Sequence, residues 1–187
     1  ITNFSPTSGA IGTWVAINGC YFGSTKGRVI YDKVGGGTVD GLWPPLAICG
    51  STWTNTQIIS EVPDVSSTND ATDGPITIER TDGVQKTTIT NYTVDAVVHP
   101  GLCKVEPNYS YETERGTSAA TVTLSGNGFG AIQVAGDVVN YQGSVTTQAI
   151  NYPSWSNAEI KAITPVTTAV ELDQRISVIK NGVESAK

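Results

Sequence analysis

Side chains that could carry out acid–base, nucleophilic or phosphate chemistry are few in this sequence. His99, the single histidine, lies beside Pro100, and no Ser or Cys nucleophile is placed next to it as covalent catalysis would need. The glycines at 35–37 follow a predicted strand but lead into no helical pattern, so they do not form a phosphate-binding loop. We therefore predict no catalytic residue and no enzymatic activity.

The cysteines could form one disulfide. Cys20, Cys49 and Cys103 permit three single pairings, and none has the close spacing of a zinc site. Cys20 and Cys49 occur where the first of two internal repeats departs from the second, as a paired insertion would. We predict a Cys20–Cys49 disulfide, and hence an oxidising compartment, with two buried free thiols as the alternative. Cys103 is expected to be buried or bridged to a part of the protein outside this sequence.

An acidic loop at 64–74 is rich in oxygen ligands. Asp64, Asn69, Asp70 and Asp73 offer carboxylate and amide oxygens, which a hard cation such as calcium prefers. Their spacing does not match an EF-hand, and a solvated turn is the alternative. Calcium is the only cofactor that the sequence suggests, and no other metal is predicted.

Two tryptophans are candidates for contact with a ligand or partner. Trp43 is followed by two prolines on a segment longer than a sandwich turn needs, and its indole could stack on a sugar ring or a partner's aromatic side chain. Alternatively, Trp43 folds back over its own core. Trp14 opens a strand and fits either role, whereas Trp53 and Trp155 stand at matching places and are expected in cores.

The candidate residues named above lie on or between sequence segments that occur twice in the chain. Residues 1–6 align with 102–107, each a short strand ended by a proline. Residues 15–23 align with 122–130, and both segments end in Gly-x-x-Phe-Gly. Such ordered self-similarity indicates a duplicated structural unit.

Two further segments keep the same order and offset. Residues 53–58 align with 155–160 through Trp-x-Asn-x-x-Ile. Residues 76–83 and 176–182 both alternate and end in Asp-Gly or Asn-Gly, which tolerate the positive φ of a type I′ hairpin turn. The offset of about 100 residues divides the chain into domains 1–95 and 96–187.

The element pattern predicts an all-β fold. Thr, Val, Ile and Gly are abundant and short apolar runs are broken by Gly and Pro, with no helical periodicity. We expect two tandem β-sandwich domains. The first continues beyond its hairpin with residues 84–94, whereas the second stops at 183–187 and is expected to lack its last strand. Either that strand follows in a longer protein, or a neighbouring copy supplies it by strand donation and builds a filament.

The four repeated segments, in this order, resemble the IPT/TIG family, the immunoglobulin-like fold shared by plexins and transcription factors. Residues 1–23 carry the clearest likeness, and the second repeat diverges at 111–117. The tandem, acidic, Thr-rich form with cysteines is most similar to members found in bacterial extracellular surface proteins. The resemblance implies the fold more firmly than the function.

Composition limits the partners. The net charge of −6 and the lack of a basic cluster disfavour nucleic acid, and no apolar run is long enough to span a bilayer. We expect an extracellular or cell-surface location.

The favoured function is a non-catalytic structural or adhesive module in a stalk or filament. Its expected partners are other domains or copies of the same protein, or a surface glycan or protein. The alternatives are a carbohydrate-binding module that uses Trp43, and accessory domains of a larger extracellular enzyme.

Overall fold

The computed structural model describes residues 1–107, 120–142, 145–165 and 175–186. The chain forms two compact units, Ile1–His99 and Pro100–Ser185. Each unit consists of two β-sheets that enclose its own hydrophobic core. The predicted all-β, immunoglobulin-like sandwich fold is confirmed. Within the described residues, no helix is both long enough and apolar enough to span a membrane.

Unit 1 contains eight strands and one helical turn. The strands are β1 (Asn3–Ser5), β2 (Ser8–Gly9), β3 (Trp14–Asn18), β4 (Arg28–Asp32), β5 (Thr38–Asp40), β6 (Gln57–Glu61), β7 (Gly74–Glu79) and β8 (Gln85–Val94), and α1 is Leu46–Cys49. One sheet has the order β1-β3-β6 and the other β2-β8-β7-β4-β5. Only the short β2–β8 pairing is parallel, and the other pairings between these strands are antiparallel.

The core of unit 1 follows from alternation along its strands. In β7, buried and half-buried residues alternate, which brings Ile76 and Ile78 into the core with Val15 and Ile17 of the opposite sheet. In β3, four consecutive residues from Trp14 are buried, so this strand is covered on both faces.

Unit 2 repeats this arrangement. Its described strands are β9 (Gly101–Glu106), β10 (Thr121–Asn127), β11 (Val138–Gln142), β12 (Thr146–Gln148), β13 (Asn151–Trp155), β14 (Glu159–Ile163), β15 (Arg175–Lys180) and β16 (Val183–Glu184). They form sheets of order β13-β14-β10-β9 and β12-β11-β15-β16. Leu124, Val139, Ile160 and Val178 are fully buried between them.

Both predicted hairpins form, with different turns. In unit 2, Lys180 pairs with Val183, and the two residues between them have the positive φ of a type I′ turn, 51° at Asn181 and 80° at Gly182. The β7–β8 loop of unit 1 is longer, and Gly83 is its one residue with positive φ.

The returning strands of the two hairpins also differ. β8 has 10 residues, whereas β16 has 2. The missing last strand of unit 2, and its supply either by a longer chain or by a neighbouring copy, stay predictions.

Candidate functional site

The turn that follows β3 in unit 1 has the same hydrogen-bonding pattern as the turn that follows β10 in unit 2. Phe22 in unit 1 and Phe129 in unit 2 are buried. The N–H of Phe22 donates to the carbonyl oxygen of Asn55 at 3.1 Å, and that of Phe129 donates to the carbonyl oxygen of Asn157 at 3.2 Å. We call residues 19–23 and 126–130 the Gly-Phe-Gly turns.

The Asn side chains hold the final glycine of each turn. The Gly23 N–H donates to Asn55 Oδ1 at 3.0 Å, and the Gly130 N–H donates to Asn157 Oδ1 at 3.2 Å. The sequence motifs Gly-x-x-Phe-Gly and Trp-x-Asn-x-x-Ile, recognised separately as repeats, are therefore two halves of one hydrogen-bonded element.

Inside the turn, equivalent positions carry very different residues. Tyr21 has a φ of 65° and Gly128 a φ of 77°, a left-handed conformation that glycine adopts freely and that bulky residues rarely adopt. The Tyr21 side chain is 79% exposed. Tyr21 was not a candidate in the sequence analysis, although its alignment with Gly128 was the signal that could have found it.

A charged pair lies beside Tyr21. Arg80 Nη1 donates to the carbonyl oxygen of Tyr21 at 3.2 Å, and Arg80 Nη2 lies 2.8 Å from Asp82 Oδ2. Both charged side chains are substantially exposed, at 39% and 49%. The main chain of Tyr21 thus contacts a guanidinium group that is itself paired with a carboxylate on the surface of unit 1.

Trp43, the first predicted contact residue, is half-buried against the core of unit 1. Its ring centroid lies 6.0 Å from that of Trp53, and Lys26 Nζ lies 3.8 Å from its centroid in a cation–π contact. Partial burial lowers the pKa of the Lys26 ammonium group. Trp43 therefore takes the alternative role considered for it, as a cover on its own core, and one of its faces carries an ammonium group.

The prediction that Trp14 contacts a ligand or partner is wrong. Trp14 is 4% exposed, so its ring has no surface on which a ligand could stack. Its indole N–H donates to Glu61 Oε2 at 3.0 Å. Burial raises the pKa of Glu61, the hydrogen bond from Trp14 opposes that rise, and the charge of Asp64 adds to it.

The predicted Cys20–Cys49 disulfide is also wrong. Cys20 is free and exposed because it lies on the outward side of the Gly-Phe-Gly turn, whereas Cys49 is buried at the end of α1. Cys49 and Cys103 each form a disulfide bond.

The residues proposed for calcium hold their own loop together. Asp70 Oδ1 accepts the N–H groups of Val65 and Ser66, each at 2.8 Å. Asp73 Oδ1 accepts the Val94 N–H at 2.7 Å, and Asn69 Oδ1 accepts from Lys33 Nζ at 3.1 Å, while Asp64 is exposed. In the described part of the chain, no three His, Cys, Asp or Glu residues are placed to hold a metal ion. Calcium at these residues stays a prediction that the geometry does not support.

A second charged cluster, in unit 2, was not anticipated from the sequence. Asp137 is buried, and its Oδ2 lies 2.5 Å from Lys180 Nζ. Asp137 also accepts the N–H groups of Asn181 at 2.9 Å and Val134 at 3.0 Å. Burial alone would raise the pKa of Asp137, but hydrogen bonds from Lys180 and the two N–H groups outweigh it and lower that pKa.

The remaining strong pKa shifts belong to core phenols. Burial raises the pKa of Tyr31, Tyr92 and Tyr141. The rings of Tyr31 and Tyr92 meet edge to face at 6.3 Å inside the core of unit 1. Tyr141 lies in the core of unit 2, so these phenols are packing residues of the two sandwiches.

Comparison with known proteins found solved structures that are similar to this chain, and the two described here have low similarity to it. No family model matches the chain, and no curated protein matches it. One similar structure is the surface glycan-binding protein PbSGBP-B from Prevotella bryantii, at 14% identity and a TM-score of 0.35, covering 96% of this chain and 36% of that one. Another is the full extracellular region of plexin A4, at 20% identity and a TM-score of 0.36, covering 100% of this chain and 15% of that one.

These likenesses are too distant to carry functional information. The chain spans well under two thirds of each protein's length, and the TM-scores are below 0.5.

Proposed function

We propose that this chain is a non-catalytic structural or adhesive module of a secreted or cell-surface protein. The proposal rests on the structural roles of the polar groups whose pKa values are shifted. Asp137 clamps a hairpin, Glu61 accepts from a buried indole, and the shifted tyrosines lie in cores. Each of these groups is committed to holding a sandwich together.

The disulfide supports the location. Cys49 and Cys103 are each disulfide-bonded, and structural disulfides persist in oxidising compartments such as the exterior of the cell. The tandem sandwiches and the repeated motifs agree with IPT/TIG domains of surface proteins. A stalk or filament wall is the assembly we infer for them.

The chief alternative is carbohydrate binding through Trp43. Its half-exposed ring would supply a stacking surface, but Lys26 would have to leave the face that it covers. Affinity electrophoresis against soluble polysaccharides would test this alternative, with Trp43→Phe retaining the packing against Trp53 better than Trp43→Ala. Retardation that Trp43→Phe weakens would favour it over the structural role.

The location can be tested directly on source cells. Antibodies raised against the folded chain should label intact, unpermeabilised cells, and brief external protease treatment should remove the epitope while a cytosolic marker survives. Labelling seen only after permeabilisation would rule out the proposal. Negative-stain microscopy with intact-mass measurement of the isolated protein would then distinguish a filament of short subunits from a long stalk.

A further inference from the structure

The exposed aromatic residue at the Gly-Phe-Gly turn of unit 1 is not required by the turn. Gly128 occupies the same place in unit 2 with nearly the same φ, 77° against 65°, and the flanking Phe and Asn hydrogen bonds are also the same. Unit 2 therefore serves as an internal control, which shows that the turn forms without a side chain at this position.

The side chain of Tyr21 contributes little burial to offset the strain of its backbone conformation. A residue with a Cβ is strained at this φ, and 79% of the Tyr21 surface is exposed to solvent, so burial offsets little of that strain. Strained residues that the fold does not need are concentrated at binding sites. The turn thus displays a phenol ring at some expense to stability.

The groups next to Tyr21 indicate the chemistry of a ligand. Arg80 donates to the Tyr21 main-chain carbonyl oxygen at 3.2 Å and is paired with Asp82 at 2.8 Å, so the surface next to this residue offers a cationic donor and an anionic acceptor. Ser24 and Thr25, the next residues along the chain outside the turn, are exposed and polar. A lone ring in such surroundings does not provide the apolar core of a protein–protein interface.

We propose that Tyr21, Arg80 and Asp82 form a binding site for a neutral sugar residue of a glycan. The ring stacks on the apolar face of the pyranose, Arg80 donates to its hydroxyl oxygens, and Asp82 accepts from its hydroxyl groups. Balanced charge at the site favours a neutral sugar over a sulfated or phosphorylated one. This site is separate from Trp43 and does not depend on the structural role proposed above.

The test uses the whole chain on an array of neutral and acidic oligosaccharides, with affinities then measured by titration. The variants are Tyr21→Gly, Tyr21→Phe and Arg80→Gln, and the matched control is Ile89→Ser, which removes a fully exposed apolar side chain of β8. The wild type should bind at least one neutral glycan. Tyr21→Gly and Arg80→Gln should weaken that binding at least tenfold, whereas Tyr21→Phe and Ile89→Ser should change it less than threefold.

Thermal unfolding separates lost contact from lost fold. Tyr21→Gly should raise the melting temperature of unit 1 by about 4 °C because it relieves the turn, so weakened binding in this variant would not reflect unfolding. The proposal fails if the wild type binds no neutral glycan, if it prefers acidic ones, or if Tyr21→Gly binds as well as the wild type. Capture of a protein partner through Tyr21 without glycan binding would also overturn it. All of these outcomes are independent of the cell-surface labelling result.

Discussion

Asp137 and Lys180 meet 2.5 Å apart, and the Asp137 side chain is completely buried while that of Lys180 is 15% exposed. The pair joins the loop before β11 to the end of β15. Since its charges are largely removed from water, each depends on the other for compensation.

We expect Asp137→Asn to destabilise unit 2 by about 3 kcal/mol, because it leaves the Lys180 charge without its partner. The control is Asp82→Asn, which breaks the exposed Arg80–Asp82 pair and should cost less than about 1 kcal/mol. Urea unfolding followed by fluorescence would measure both. Equal losses in the two variants would mean that burial of the pair contributes nothing.

The same carboxylate should make unit 2 sensitive to acid. The pKa of Asp137 is lower in the folded state, so its contribution to stability is present above the unfolded pKa of about 3.9 and is lost as pH falls through the folded value. Melting temperatures measured between pH 2 and 6 should therefore fall more steeply for the wild type than for Asp137→Asn. If the melting temperatures of the wild type and Asp137→Asn fell equally with pH, the acid sensitivity of unit 2 would not come from Asp137.

Glu61 should behave in the opposite way. Burial raises its pKa, so the folded state holds the proton more tightly, and the resulting stability is present below the unfolded pKa and lost as pH rises through the folded value. Glu61→Gln keeps an oxygen acceptor for the Trp14 indole without the buried charge. It should raise the melting temperature by about 2 °C at pH 7 and have little effect at pH 3.5, as differential scanning calorimetry would show. A decrease at pH 7 would indicate that the charge on Glu61 is needed.

The cysteine assignment predicts one reactive thiol. Under non-reducing conditions the native chain should react with a single equivalent of a thiol reagent, and Cys20→Ser should react with none. Peptide mapping without reduction should recover Cys49 and Cys103 only in disulfide-linked peptides, and reduction should lower the free energy of unfolding by about 2–5 kcal/mol. A joined peptide that contains Cys20 would refute the assignment.

Local patterns were enough to predict the fold. Alternation in β7 and the Asn-Gly turn before β16 act over a few residues, so they can be read directly from the chain. The Gly-x-x-Phe-Gly motif served only to align the two repeats, and the structure shows that in both it forms a turn with a buried Phe.

The candidate site was less predictable because it depends on residues distant in sequence. The Asp137–Lys180 pair spans 43 positions, and neither residue stands out among the other charges. Trp14 begins a strand whose first four residues are all buried, so alternation could not distinguish its inward from its outward face. The cysteine prediction allowed three pairings and favoured Cys20–Cys49 because both residues occur where the first repeat departs from the second, a pattern that does not show which side chains are buried.

The free thiol of Cys20 lies next to Tyr21 in the same exposed turn. Because the other two cysteines are bonded, an environment-sensitive fluorophore attached through maleimide would label one defined position without further mutation. The turn can therefore be made into a reporter, in which a change of emission signals occupancy beside the phenol ring while the rest of the chain stays unlabelled.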